Sequence, residues 1–397
     1  MDSTSEPRRG LPDIWDFLSQ DREGHALANA WGQFNNPTPE NPVDAGEFLA
    51  RVDLRDLPAR VWLRYRKPQQ VYWDPEGMLR AVLYFGLRGY KHLTQAWRDI
   101  HLKKGLAKAL GLDAVPPYKT LWHFVKRRLG TEGVHELFTR LVELVVSEGR
   151  ARGLPIGEVI AVDAMPIETS TRDKRAEFSP HYRVRGYKAH NVVDPAFGIP
   201  LDVSVTRLNH HESPELPEAV RRVRALGCPV NEIVADAGYD SVVNFGVVCQ
   251  EMHARFWTKF AVNSVLDPKG EGEHIWKLYE RCWRDEGYMP GASLEQRLEF
   301  LYRRGREHEV GAYHRNEMFR SFLSDPVRYE KEYHRRIPIE GDHGYWKQHR
   351  NLTKMEGRPM DSIDLRYTIF QMGTLVVALT RLQSGERSGL CKTVGIQ

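Results

Sequence analysis

Residues 333–347 read Y-H-R-R-I-P-I-E-G-D-H-G-Y-W-K, and in them Tyr333, Arg336 and Lys347 stand seven before, four before and seven after Glu340. On a helix of 3.6 residues per turn, steps of four and seven return to about the same side. One carboxylate would then share a face with two cations and a phenol. That combination suits a phosphodiester gripped beside a metal ion, although a solvated, salt-bridged helix face carries the same residue types.

Two aspartates elsewhere complete a set of hard oxygen donors. Asp163 closes a short β-type run, V-I-A-V, over 159–162, and Asp236 follows a second run over 232–234. After Asp236 comes A-G-Y-D-S, where Gly238 permits a tight turn beside the carboxylate. A strand-end aspartate also serves as a helix cap or turn residue. Three acids from distant places nevertheless match what two-metal phosphoryl transfer requires. Mg2+ or Mn2+ prefers carboxylate oxygens, and two ions about 3.5–4 Å apart stabilise both the attacking and the leaving oxygen, so no side-chain nucleophile is needed. Pro338 suits a first helical turn, which predicts a glutamate helix beginning near Ile337, its dipole favouring ionised Glu340 and its start leaving Tyr333 and Arg336 ahead of it. Gly341 and Gly344 weaken that helix.

The elements that must carry these groups follow from periodicity. Residues 1–154 show helical spacing and almost no strand-like alternation, so they are expected to form an all-α domain. Within it, Asp74 and Pro75 open a helix over 78–87. A second helix after Pro116 and Pro117 buries Leu121, Phe124, Val125 and Leu129, turns Lys119, His123, Lys126 and Arg127 outward, and stops at Gly130. A small helical module with a basic helix is the usual shape of a helix-turn-helix reader. From 155 to 262 the texture changes to strands at 159–162, 187–194, 199–205, 232–234 and 256–262, with helices at 213–226 and 242–253; residues 169–180 are expected to be a loop. Antiparallel strands followed by a parallel crossover predict a mixed α/β sheet flanked by helices, and such sheets collect ligands at the strand ends. Residues 263–330 form a mainly helical insertion. Residues 331–383 return to the catalytic core with an apolar helix over 363–382 on the sheet, and 384–397 form a flexible tail.

Composition narrows the class. A chain of 397 residues suits two or three domains, and 41% hydrophobic with 28% charged residues describes a folded protein. The most apolar stretch, around 375–379, is flanked by Gln371 and Arg381 and is too short to span a bilayer, and the N-terminus lacks a signal-type apolar core. These features predict a cytoplasmic, nucleoid-associated protein. Cys228, Cys249, Cys282 and Cys391 form no CxxC pair, which argues against a disulfide framework or a cysteine zinc site. The net charge is only +4, yet basic residues gather at Arg60, Arg64, Arg66 and Lys67, at Lys103, Lys104 and Lys108, and at Lys126, Arg127 and Arg128. Local clusters in a nearly balanced chain point to a polyanion contacted at particular places, with solvated surface as the alternative.

Taken together, Asp163, the D-A-G-Y-D-S segment from Asp236, and the spaced Tyr333, Arg336, Glu340 and Lys347 resemble the DDE transposases of prokaryotic insertion sequences. The resemblance is to the group marked by tyrosine, two residues, arginine, three residues, glutamate, six residues, lysine. G-Y-K-A-H at 186–190, Asp194, Gly198 and T-R-L-N-H-H-E-S at 206–213 support it, and the likeness covers about 155–262 and 330–382. It implies a ribonuclease-H-like fold in which Asp163, Asp236 and Glu340 hold two Mg2+ or Mn2+ ions. Water would cleave at the element's ends, and the freed 3′ hydroxyl would attack target DNA. Arg336 and Lys347, with Tyr333 beside them, would contact DNA. Lys188, His190, Asn209 and His211 would lie near the site, and the N-terminal helices would bind terminal inverted repeats. The partners implied are double-stranded DNA and a second copy of the chain in a synaptic complex, with no membrane and no small-molecule cofactor. Pro338, Gly341 and Gly344 depart from the family's more regular glutamate helix, and the insertion reads as helical where some relatives carry strands. A domesticated, non-catalytic DNA-binding protein on the same fold and a nuclease without strand transfer are the competing functions.

Overall fold

The computed structural model describes residues 44–65, 71–170, 172–260, 272–283, 291–340, 354–355 and 359–391. The described chain opens with helices Ala45–Arg51 (α1), Leu57–Leu63 (α2), Pro75–Leu87 (α3), Leu93–Leu102 (α4), Leu106–Ala109 (α5), Tyr118–His123 (α6) and Gly130–Ala151 (α7). Asp44 caps α1 by accepting from the Gly46 and Glu47 amides, and Asp74 caps α3 by accepting from Gly77 at 2.8 Å, with Pro75 in the first turn. The helix expected after Pro117 buries Leu121, Phe124, Val125 and Leu129 as its spacing predicts. Its second half, Phe124–Leu129, winds as a π-helix, and at Gly130, with φ of 62°, the chain turns straight into α7.

The sheet is built from Val159–Thr169 (β1), Glu177–Ser179 (β2), Val184–Asp194 (β3), Ile199–Arg207 (β4), Glu232–Ala235 (β5), Arg255–Thr258 (β6) and Lys354–Met355 (β7). β3 lies antiparallel to β1 on one side and to β2 and β4 on the other, while β5 and β6 add parallel strands beyond β1. The β3–β4 hairpin turns where Asp194 accepts from the amides of Ala196 and Phe197 and Gly198 takes φ of 68°. Helix Leu216–Ala225 (α8) makes the crossover to β5, and Val242–Phe245 (α9), continued by a π-helical turn to Glu251, leads to β6. This is the ribonuclease-H-like mixed sheet flanked by helices.

Two expectations are revised here. β1 does not end before Asp163 but runs on to Thr169, because from Asp163 to Glu168 it stays paired with β3 after β5 has stopped. Pro166, which has no amide hydrogen, falls in that one-sided stretch. The expected loop over 169–180 holds β2, whose Glu177 to Ser179 pair with the start of β3.

Four helices, Gly272–Trp283 (α10), Leu294–Arg303 (α11), Glu307–Ser324 (α12) and Pro326–Tyr333 (α13), follow β6. Ile275, Leu278, Leu298, Leu301 and Val310 form a small core of their own there. Helix Met360–Gln383 (α14) lies against α7, α3 and β4. It crosses α3 so closely that a Cβ on Gly86 would collide with the Ile369 carbonyl, and one on Gly373 would meet the Leu87 amide nitrogen at 2.9 Å. Phe370 stacks on Phe85, their centroids 5.6 Å apart, and the Tyr367 hydroxyl donates to Asn191 of β3 at 2.7 Å. One hydrophobic core therefore runs from the N-terminal helices through α14 to the sheet. Residues 384–388 of the expected loose tail are exposed, while Leu390 is fully buried in that core and anchors the chain there.

Candidate active site

Strand register brings Asp163 and Asp236 together. β1 and β5 run parallel with Val162 opposite Ala235, so the aspartates follow on neighbouring strands. Asp236 caps a short 3-10 turn, Ala237–Tyr239, accepting from the Gly238 amide at 2.9 Å, and Asp163 accepts from the Ala164 amide at 2.8 Å. The loop after Asp236 is fixed from the insertion: Arg315 of α12 donates twice to the fully buried Asp240, at 2.6 and 2.7 Å.

Glu340 reaches the same edge from α13. That helix passes into a 3-10 turn, His334–Arg336, and on into helical residues 337–340. Pro338 cannot donate to the His334 carbonyl, and the Ile337 amide donates to it instead, which tightens the turn. The helix expected to start near Ile337 is thus a change of pitch in a helical run already under way, and Tyr333 lies inside that run. Arg336 donates to Glu340 at 2.5 Å and approaches Asp163 to 3.7 Å, so its buried guanidinium spans the first and third acids. It also stands 5.4 Å from the Tyr333 ring centroid, while Lys259 stands 5.1 Å from the same centroid. Tyr333 is itself buried. Lys347 lies outside the described residues.

The electrostatics are those of crowded acids held by one cation. Burial raises the Asp163 carboxyl above the usual carboxylate range; Arg336 opposes this and Asp236 adds to it. Burial, then the Glu212 carboxylate, raises Asp236 in the same way against Arg336, the Gly238 amide and Lys188. Arg336 is driven further into its protonated form, since Tyr333, Asp163, Glu340 and Asp236 outweigh the burial that lowers it.

The remaining expected residues divide into inner and outer groups. Lys188, buried on β3, donates to Glu212 at 2.8 Å and to the His210 carbonyl at 3.0 Å. His190 is buried on the same strand, 2.8 Å from the Thr206 hydroxyl, and burial with nearby Lys188 and His210 pushes its pKa down to about 3. Asn209 and His211 are exposed on the loop after β4. Lys126 is half-buried and donates to Ser362 of α14 at 2.7 Å, so it ties the helical region to α14 and does not face out beside its neighbours. Arg127 and Arg128 are exposed, and with Tyr65, Tyr72, Trp73 and His123 they line a cleft of about 720 Å³.

Sequence reasoning missed Glu212, although it stands in the quoted 206–213 segment. It also missed Tyr182, whose hydroxyl lies 3.5 Å from Glu212, and gave Tyr239 only a general hydrogen-bonding part. Tyr239 is fully buried, its hydroxyl has no hydrogen-bond partner among the described residues, and burial with Glu212, Asp163 and Asp236 keeps it neutral. An acid in a polar loop carries no periodic signal that would single it out.

Among the described residues no three His, Cys, Asp or Glu side chains converge closely enough to hold one metal ion as they stand; Arg336 supplies the positive charge between Asp163 and Glu340. The donor set still fits a hard divalent cation, being all carboxylate, largely buried, and balanced by a guanidinium standing in for that cation.

The family model of the transposase DDE domain matches residues 155–365. The chain belongs to the transposase DDE-domain family. No curated protein matches it. The matched span of this DDE transposase takes in Asp163, Asp236 and Glu340, the insertion helices and the start of α14. No helix among the described residues is long and apolar enough to cross a membrane.

Proposed function

We propose that this DDE transposase serves a prokaryotic insertion sequence, cutting DNA at the element's ends and joining the freed 3′ hydroxyl to a target. The observation that carries the reading is the adjacency of Asp163 and Asp236 on parallel strands with Arg336 linking Asp163 to Glu340. Asp163, Asp236 and Glu340 would hold two Mg2+ or Mn2+ ions, which when bound polarise the scissile phosphate and acidify the attacking water. Arg336 offers a planar fork that matches phosphate oxygens, with the Tyr333 ring centroid 5.4 Å from it. Lys347, by the spacing of the signature, is assigned to the DNA backbone. His211 and Asn209, exposed on the loop after β4, are assigned to the strand that enters the site. Arg127 and Arg128, with the aromatic residues of their cleft, are assigned to the inverted repeat, phosphate contacts setting register and affinity. Two element ends need two active sites, so the working form is a homodimer on DNA.

The test uses the purified chain, Mg2+ and a DNA fragment bearing the sequences that flank its gene. Cleavage at the element's ends and joined products are expected, and both should vanish in Asp163→Asn and Glu340→Gln. Cleavage without joining would make the protein a nuclease, and specific binding without cleavage would make it a domesticated DNA-binding protein.

A further inference from the structure

We infer that Glu212 is a fourth carboxylate of the metal-binding site, ligating the cation beside Asp236. This inference rests on the reading that the site binds divalent ions. Glu212 follows β4, on the strand-end side of the sheet, at the start of the crossover toward β5. Its side chain is only 13% exposed. One oxygen, Oε1, takes both polar contacts, from Lys188 at 2.8 Å and Tyr182 at 3.5 Å. The other, Oε2, makes no hydrogen bond among the described residues. Glu212 Oε2 and Asp236 Oδ1 both lie 3.0 Å from the point that a Cβ on Gly238 would occupy, so the two carboxylates flank one glycine whose missing side chain lets them approach.

Two like charges so placed repel unless a cation joins them. Lys188 pairs with Glu212 through Oε1 and leaves Oε2 for another partner. A second feature points to a ligand in the same space. The Tyr239 hydroxyl is a fully buried donor without a partner among the described residues, in the field of Glu212, Asp163 and Asp236. A buried hydroxyl left unpaired is destabilising, and an oxygen carried in with a bound ion would satisfy it. A merely structural Lys188–Glu212 pair would not explain the orphan hydroxyl.

Mn2+ binding to the full chain without DNA, followed by calorimetry and by the electron paramagnetic resonance of free Mn2+, tests this. Loss of an outer-shell partner weakens a metal site about 10–100-fold, so Glu212→Gln is expected to weaken Mn2+ binding by at least about tenfold. Glu212→Asp, which keeps the charge but withdraws the carboxylate by one methylene, should weaken it as well, and it carries the test if the glutamine variant does not fold. Wild-type Mn2+ binding in the Glu212 variants, with binding lost in Asp236→Asn, would overturn this inference and leave the function above intact. Wild-type binding in Asp236→Asn too would remove the metal reading itself.

Discussion

Asp163 and Asp236 stand one residue past Val162 and Ala235, the last registered pair of two adjacent parallel strands. Their meeting is therefore a property of the backbone ladder, and side-chain rearrangement cannot part them far. Glu340 is different, because it joins them through Arg336.

Arg336 gives the first prediction. Removing a guanidinium from a buried ion pair leaves uncompensated charge and costs about 3–5 kcal/mol. Arg336→Met should therefore destabilise the metal-free protein by that order, and added Mn2+ should raise its melting temperature more than it raises that of the wild type. Denaturant and thermal melts with and without Mn2+ measure both, and equal shifts in the two proteins would contradict the stand-in role of the guanidinium.

The Asp240–Arg315 pair gives the second. Arg315→Met leaves Asp240, with no exposed side-chain surface, charged and short of its bidentate partner, at an expected cost of about 3–5 kcal/mol. The double variant with Asp240→Asn should recover part of that loss. If the two changes add independently in urea melts, the insertion does not brace the Asp236 loop through this pair.

A third concerns acid. His190 has a folded pKa of about 3 against an ordinary 6.5, so the unfolded chain binds the proton more tightly. Its contribution to stability is complete above pH 6.5 and is lost as pH falls toward 3. His190→Asn should flatten that limb of the pH–stability curve, measured by urea melts at a series of pH values. An unchanged slope between pH 6.5 and 3 would show that the imidazole is not neutral in the fold.

The fourth is steric. Gly86→Ala should lower stability by about 1–3 kcal/mol, although alanine is the better helix former by about 1 kcal/mol, because the added methyl drives α3 off the Ile369 carbonyl. A more stable variant would mean that the two helices can separate without cost.

Much of this fold was legible because its strands are β-branched runs with sharp ends: I-V-A before Asp236 and I-P-L-D-V-S-V after Gly198 both form strands where expected. β1 reads too short in the sequence because Asp163 interrupts its apolar run, and only the pairing of Asp163 to Glu168 with β3 shows that the strand goes on. The inner acids were legible as types at strand ends and at a fixed spacing. What Arg336 touches was not, since an arginine before a glutamate reads alike whether it faces solvent or an aspartate from a strand far away in the chain. Glu212 and the orphan hydroxyl of Tyr239 depend on the same kind of long-range meeting.

The core shared by the N-terminal helices, α14 and the sheet also governs how the protein can be dissected. Cutting between residues 154 and 155 would strip the Phe85 side of α14 from one fragment and leave α3 and α7 in the other without the surface they cover. Neither piece would serve as a stand-alone reagent for footprinting or crystallisation. A chimera that exchanges the helical region between relatives must carry residues 360–383 along with it.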